Sequence, residues 1–86
     1  MIVTKQDVAE RIAAHLQHRV TLPQLVDWAE NAMMDATFDE KDAATIAAVV
    51  ARLGVADVRA FGLTWTDCEE LLAKLGFSAR VEIIAA

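Results

Sequence analysis

The segment Val20-Thr21-Leu22-Pro23-Gln24-Leu25 has the pattern of a helix start. Thr21 is an N-cap residue whose hydroxyl can accept a hydrogen bond from an unpaired amide of the first turn. Gln24, three residues later, can return a bond to the amide of the cap, and the apolar residues at the two ends can pack on each other as a hydrophobic staple. Proline is tolerated in a first helical turn. The segment therefore predicts a helix that begins at Leu22.

The same pattern occurs three more times, at residues 3–8, 38–43 and 63–68. Each copy places Thr or Asp after an apolar residue and an Asp three positions later, although Ala43 makes the staple of the third copy weak. Four helix starts in 86 residues predict an all-α protein: a four-helix bundle-like domain that occupies residues 1–86.

The apolar residues recur at the spacing of helices. We expect helices over about residues 5–17, 22–36, 40–53 and 65–75, with Gly54 and Gly76 placed as C-terminal stops. The second helix is expected to bury Leu22, Leu25, Val26, Ala29, Ala32, Met33 and Ala36, and the third Ala43, Ile46, Ala47, Val50 and Leu53.

The periodicity changes near the C-terminus. Apolar residues alternate with Arg80 and Glu82 over residues 79–83, which predicts a β-strand of about six residues. A strand needs a partner for its backbone groups. We expect pairing with Met1–Val3, and the open alternatives are a second copy of the chain or a strand of another protein.

The composition is that of a folded protein, with 56% hydrophobic residues, three glycines and one proline. No apolar run approaches the length of a membrane span, and the first residues lack the basic and apolar regions of a signal peptide. Cys68 is the only cysteine, which excludes an internal disulfide and fits a reducing compartment. We therefore expect a cytoplasmic protein that does not contact membranes.

The acidic charge is concentrated in one region. The whole chain has a net charge of −5, and residues 27–42 alone hold six carboxylates and one lysine, again −5. Such a surface favours a basic partner and opposes direct contact with phosphate. The alternative is a solvated face that keeps an alanine-rich protein soluble.

Candidates for chemistry are few. His15 and His18 have a usable metal-ligand spacing, but zinc would need two more ligands, and both fit a polar helical strip. Cys68 with a histidine is the one nucleophile pair to consider, and its position on the apolar stripe of the fourth expected helix favours a core residue. We predict no enzyme activity, no catalytic residues, no cofactor and no metal.

A helix-turn-helix is the other arrangement to weigh, because only four residues separate the first two expected helices. The second of these would enter the DNA groove. It carries Asp27, Glu30 and Asp35 and no lysine or arginine, so phosphate would repel it.

Residues 25–30, read with residues 61–65 and 75–77, resemble short bacterial proteins of unknown function. The resemblance covers most of the chain and implies no activity. In size, acidity and helix content the chain is also similar to the immunity proteins of nuclease bacteriocins and to small antitoxins. This similarity concerns the general class of protein, and no residue motif supports it.

We predict a non-catalytic acidic protein-interaction module of a bacterial or phage cell, such as an antitoxin, immunity protein or inhibitor. The predicted partner-binding residues are Asp27, Trp28, Glu30, Met34, Asp35 and Asp39. The alternatives are a homodimeric structural or regulatory protein, associating through Ala44, Ala48 and Ala51 or through the C-terminal strand, and a helix-turn-helix transcription regulator.

Overall fold

The computed structural model describes residues 2–85. Over this range the chain forms four α-helices: α1 (Lys5–Leu16), α2 (Leu22–Asp35), α3 (Ala43–Gly54) and α4 (Trp65–Lys74). Two short strands, β1 (Ile2–Val3) and β2 (Thr37–Phe38), pair in parallel, and a 3-10 turn spans Glu40–Asp42. The prediction of a mostly helical protein is confirmed.

Three of the four predicted capping boxes are present, with both reciprocal hydrogen bonds in each. At the start of α4, for example, the Asp67 amide donates to Thr64 Oγ1 at 3.1 Å, and the Thr64 amide donates to Asp67 Oδ2 at 2.9 Å. These bonds satisfy amides that have no partner within the helix, which fixes where each helix begins. The three boxes are Thr4 with Asp7, Thr21 with Gln24, and Thr64 with Asp67.

The third predicted box is wrong, and α3 begins at Ala43 rather than at Glu40. The Asp39 carboxylate accepts from the amide of Lys41, at 3.3 Å, and so caps the 3-10 turn. The amide of Asp39 donates to the Val3 carbonyl at 3.0 Å and is therefore not available for the reciprocal bond of a capping box. Tertiary pairing with β1 has replaced the local motif.

The strand prediction needs a larger correction. Residues 77–85 form neither helix nor strand, and β1 pairs with β2, aligning Ile2 with Thr37 and Val3 with Phe38. The end of α2 explains this choice, because Ala36 leaves the helix with extended backbone angles, φ −89° and ψ 152°. The next two residues, β-branched and aromatic, therefore lie beside Val3, which is 1% exposed. The prediction for Met1 lies outside the described residues.

The core lies between the four helices and β1. Helix α3 contributes one buried stripe with i, i+3, i+4, i+7 spacing, consisting of Ile46, Val49, Val50 and Leu53. Val49 was not expected there, whereas Ala43 and Ala47 are only half-buried. Most of the expected α2 stripe is buried, as Leu25, Val26, Ala29 and Ala32. Helix α3 contacts α1, α2, α4 and β2, which places this stripe at the centre of the core.

Leu22 and Ala36 of the expected α2 stripe are half-buried, and Met33 is its one exposed residue, at 54%. A methyl group built on Gly54 would lie 4.0 Å from the Met33 sulfur, so the thioether sits over the last residue of α3. Helix α3 ends there, and little further structure covers the Met33 side chain. The α2–α3 packing therefore leaves both methionines of α2 at the surface.

Arg52 holds the α3–α4 connection in place. Its guanidinium donates to the Gly62 carbonyl at 3.0 Å and to the Asp67 carboxylate at 3.4 Å, and it lies over the Phe61 ring. Gly62 has a φ of +61°, a left-handed conformation that glycine adopts at low cost. Within residues 2–85, no helix has the length and apolar character needed to cross a bilayer.

Candidate protein-interaction surface

The capping box at Thr21 begins α2, and the buried stripe of the helix determines which side faces solvent. Leu25, Val26 and Ala29 are at most 2% exposed, so the side of the helix about 180° away faces solvent. Asp27, Glu30 and Asp35 are all exposed on α2, together with Met34, which is 72% exposed. We call these four residues and Met33 the acidic surface. A helix rises by about 1.5 Å per residue, so its carboxylates span roughly 12 Å along the axis.

No ion pair within the described residues neutralises the acidic surface. The two ion pairs found there join Lys5 to Asp42, at 3.6 Å, and Arg52 to Asp67, at 3.4 Å. Neither of them involves a residue of α2. Carboxylates left unpaired on one helix produce a local negative potential that can attract a cationic surface.

Trp28 occupies a different position from the other predicted contact residues. Its side chain is half-buried and packs against the core cluster. The Arg11 guanidinium lies 5.3 Å from the centroid of the Trp28 ring, a cation–π contact between α1 and α2. The core and Arg11 therefore cover much of the indole. The Asp7 carboxylate, one turn before Arg11, accepts from the Thr4 amide in the capping box.

Asp39 is separated from the acidic surface by β2. It is half-buried, its carboxylate caps the 3-10 turn, and its amide is bonded to β1. Its hydrogen bonds are those of a structural residue. The structure thus brings together Asp27, Glu30, Met34 and Asp35 on one exposed helix and places Trp28 and Asp39 in structural contacts.

Met33 is the surface residue that sequence reasoning missed. Its helical spacing from Ala29 and Ala32 predicts burial, and nothing in α2 alone contradicts that. A signal was available in the partner helix, because Gly54 at the end of α3 provides no side chain to pack on Met33. Two adjacent exposed methionines give the acidic surface a flexible and polarisable apolar part.

A cleft of about 350 Å³ brings His15, His18 and Cys68 together with Leu63 and Trp65. Burial raises the pKa of the Cys68 thiol, and the negative charge of Asp67 raises it further. The reactive thiolate is therefore disfavoured. Within residues 2–85, no group of three or more His, Cys, Asp or Glu side chains has an arrangement that could hold a metal ion.

The expected alanine ridge of α3 is partly accessible: Ala44 and Ala48 are exposed, and Ala51 is half-buried. The chain shows no significant match to any family model, curated protein or solved structure. The resemblance of residues 25–30 to short bacterial proteins therefore stays a prediction.

Proposed function

We propose that this protein is a non-catalytic binding module that docks through the acidic surface of α2 on a basic protein. It acts stoichiometrically, in the manner of an antitoxin, immunity protein or inhibitor of a bacterial or phage cell. Its helices form a bundle, and it works in the cytoplasm. The observation that carries the proposal is that Asp27, Glu30 and Asp35 are exposed and that, within the described residues, none of the three forms an ion pair.

The two parts of the acidic surface have different roles in this proposal. The carboxylates attract a cationic partner and raise the association rate, an effect that salt screens. Burial of Met33 and Met34 supplies apolar contact, because solvent-exposed methionines can adapt their three rotatable bonds to a partner. The partner surface that fits is one with lysines or arginines around an apolar depression.

The test compares two charge reversals of equal size. D27K/E30K reverses two of the three carboxylates of the acidic surface, and E69K/E70K changes two exposed carboxylates of α4 by the same net charge. Each tagged protein is used to isolate partners from the native cell, and the recovered proteins are quantified at low and high salt. We expect D27K/E30K to lose the wild-type partner and E69K/E70K to retain it.

Equal recovery by wild type and D27K/E30K would refute the proposed surface. Loss with both variants would show that only total charge matters, which also contradicts a localised site. Circular dichroism must show that each variant retains the helix content of the wild type. We expect this because all four residues are exposed and lie outside the core.

A further inference from the structure

The C-terminal segment, residues 77–85, extends from α4 without secondary structure of its own. Within residues 2–85, its backbone forms a single hydrogen bond, from the Phe77 amide to the Leu72 carbonyl at 2.9 Å. Beyond Phe77, the segment carries β-branched side chains that are largely in solvent: Val81 is 67% exposed and Ile83 is 94% exposed. Unpaired backbone and exposed β-branched residues together are the properties of a strand that lacks a partner.

One wall of a cleft of about 580 Å³ is formed by this segment, and helices α1 and α4 form the others. Ala79 packs at the edge of the core, and every residue from 77 to 82 lines the cleft. In an extended chain, alternate residues point to the same side. A strand over these residues would place Ala79, Val81 and Ile83 on one face and Arg80 and Glu82 on the other.

We propose that two copies of this protein associate by pairing their C-terminal segments as an antiparallel two-stranded ribbon centred on Val81. The charges select this register. When Val81 lies opposite Val81 of the second copy, Arg80 lies opposite Glu82, and the symmetry of the pair repeats this contact. Opposite charges placed directly across an antiparallel pair are stabilising, and like charges are destabilising.

The apolar face is complementary in the same register. Ala79 lies opposite Ile83 of the second copy, so a small residue meets a large one on each side of the central valines. Because Ala79 of the first copy lines its own cleft, Ile83 of the second copy covers the cleft of the first. A two-fold dimer requires a self-complementary surface of this kind. Arg80 and Glu82 also make the segment neutral, which lets two chains of charge −5 approach there.

The charge test uses sedimentation velocity on the full chain over a wide concentration range. We expect wild type to form a dimer, and both R80E and E82R to weaken it about tenfold or more, because each places two like-charged pairs across the ribbon. The double variant R80E/E82R restores the dimer. A mixture of R80E with E82R forms a heterodimer, because every cross-strand pair is then of opposite sign.

The mixing result cannot arise from unfolding, since it is a gain of association from two weakened proteins. A wild-type chain that remains monomeric at all concentrations overturns the proposal. It is also overturned if the mixture associates no better than the separate variants.

The register is tested by disulfide formation in mild oxidant. V81C places a thiol opposite itself and is expected to cross-link into a dimer, whereas I83C places its two thiols roughly 13 Å apart along the ribbon and is not. Native Cys68 is 1% exposed and is a poor competitor. Cross-linking of I83C in preference to V81C would show another register and would overturn the charge argument.

Discussion

Thr64 offers the clearest measurement of what a single capping interaction contributes to this fold. Its hydroxyl accepts from the Asp67 amide at 3.1 Å, and its side chain is otherwise exposed, so Thr64→Ala removes the hydrogen bond without creating a cavity. Loss of an N-cap hydroxyl costs about 1 kcal/mol, within a range of roughly 0.5–2 kcal/mol. In a chain of this size, that free energy lowers the melting temperature by about 4–8 °C.

The same helix provides the control. Thr66 is exposed in the first turn of α4 and makes no side-chain hydrogen bond with other residues in the range 2–85. Thr66→Ala is expected to be neutral or slightly stabilising, because alanine has the higher helix propensity. Thr64→Ser keeps the oxygen and should retain nearly all the stability.

The assay is urea denaturation followed by circular dichroism, with the melting temperature as a second readout. Two results would refute the reasoning. One is a Thr64→Ser variant as unstable as Thr64→Ala, which would mean that the methyl group rather than the hydroxyl stabilises the helix. The other is an equal loss in Thr66→Ala, which would mean that any threonine of this turn matters.

Three further predictions test other contacts. The pKa of Asp67 lies below its ordinary value of 3.8, mainly because the Thr64 amide and then the Thr64 hydroxyl bond to the carboxylate. Its stabilising effect is therefore complete above pH 3.8 and disappears as the pH falls through the lowered value, so acid titrations of wild type and Asp67→Asn should differ in that window. Leu53→Ala, at a fully buried position, should cost about 2–5 kcal/mol in urea unfolding, whereas Met33→Ala should cost far less because that side chain is half in solvent. Arg52→Met should accelerate amide hydrogen exchange in residues 55–62 more than in α1, because it removes the bond to the Gly62 carbonyl. An equal acceleration of exchange in residues 55–62 and in α1 would contradict the proposed role of Arg52.

Helix starts could be predicted from the sequence because the interactions that define them are local. A threonine and an acidic or amide residue three positions later make both bonds of a capping box within one turn. Three of the four boxes therefore needed no knowledge of the tertiary structure. The remaining box, at Asp39, failed where a distant group intervened, since the Asp39 amide is bonded to the Val3 carbonyl.

The strand partner could not be predicted for a related reason. Alternation at residues 79–83 indicates which backbone prefers to be extended, but pairing depends on which two segments the helices bring together. Packing of α2 on α3 places residues 37–38 beside β1, and nothing in the local sequence of either segment specifies that neighbour. In the proposed ribbon, residues 79–83 pair with the same segment of a second copy.

Only the part of the candidate surface that follows from the helical periodicity of α2 could be predicted from the sequence. Outward carboxylates follow from the buried stripe of α2, which explains why Asp27, Glu30 and Asp35 are exposed as expected. Exposure of Met33 depends on the end of α3, and the covering of Trp28 depends on Arg11 of α1. Both are contacts between helices, which the periodicity of one helix cannot specify.

The acidic surface and the C-terminal segment arise from different elements, so the two proposals can fail independently. Charge reversal at Asp27 and Glu30 alters α2 and leaves the ribbon pairs intact, whereas R80E alters the ribbon and leaves α2 intact. Loss of partner recovery in the first variant with dimerisation unchanged would assign recognition to α2 alone. Loss of both dimerisation and partner recovery in R80E would mean that the partner needs two acidic surfaces at once. A dimer presents two copies of this surface, and simultaneous binding of both raises the affinity. The same pair of variants therefore separates a monovalent binding module from a bivalent one.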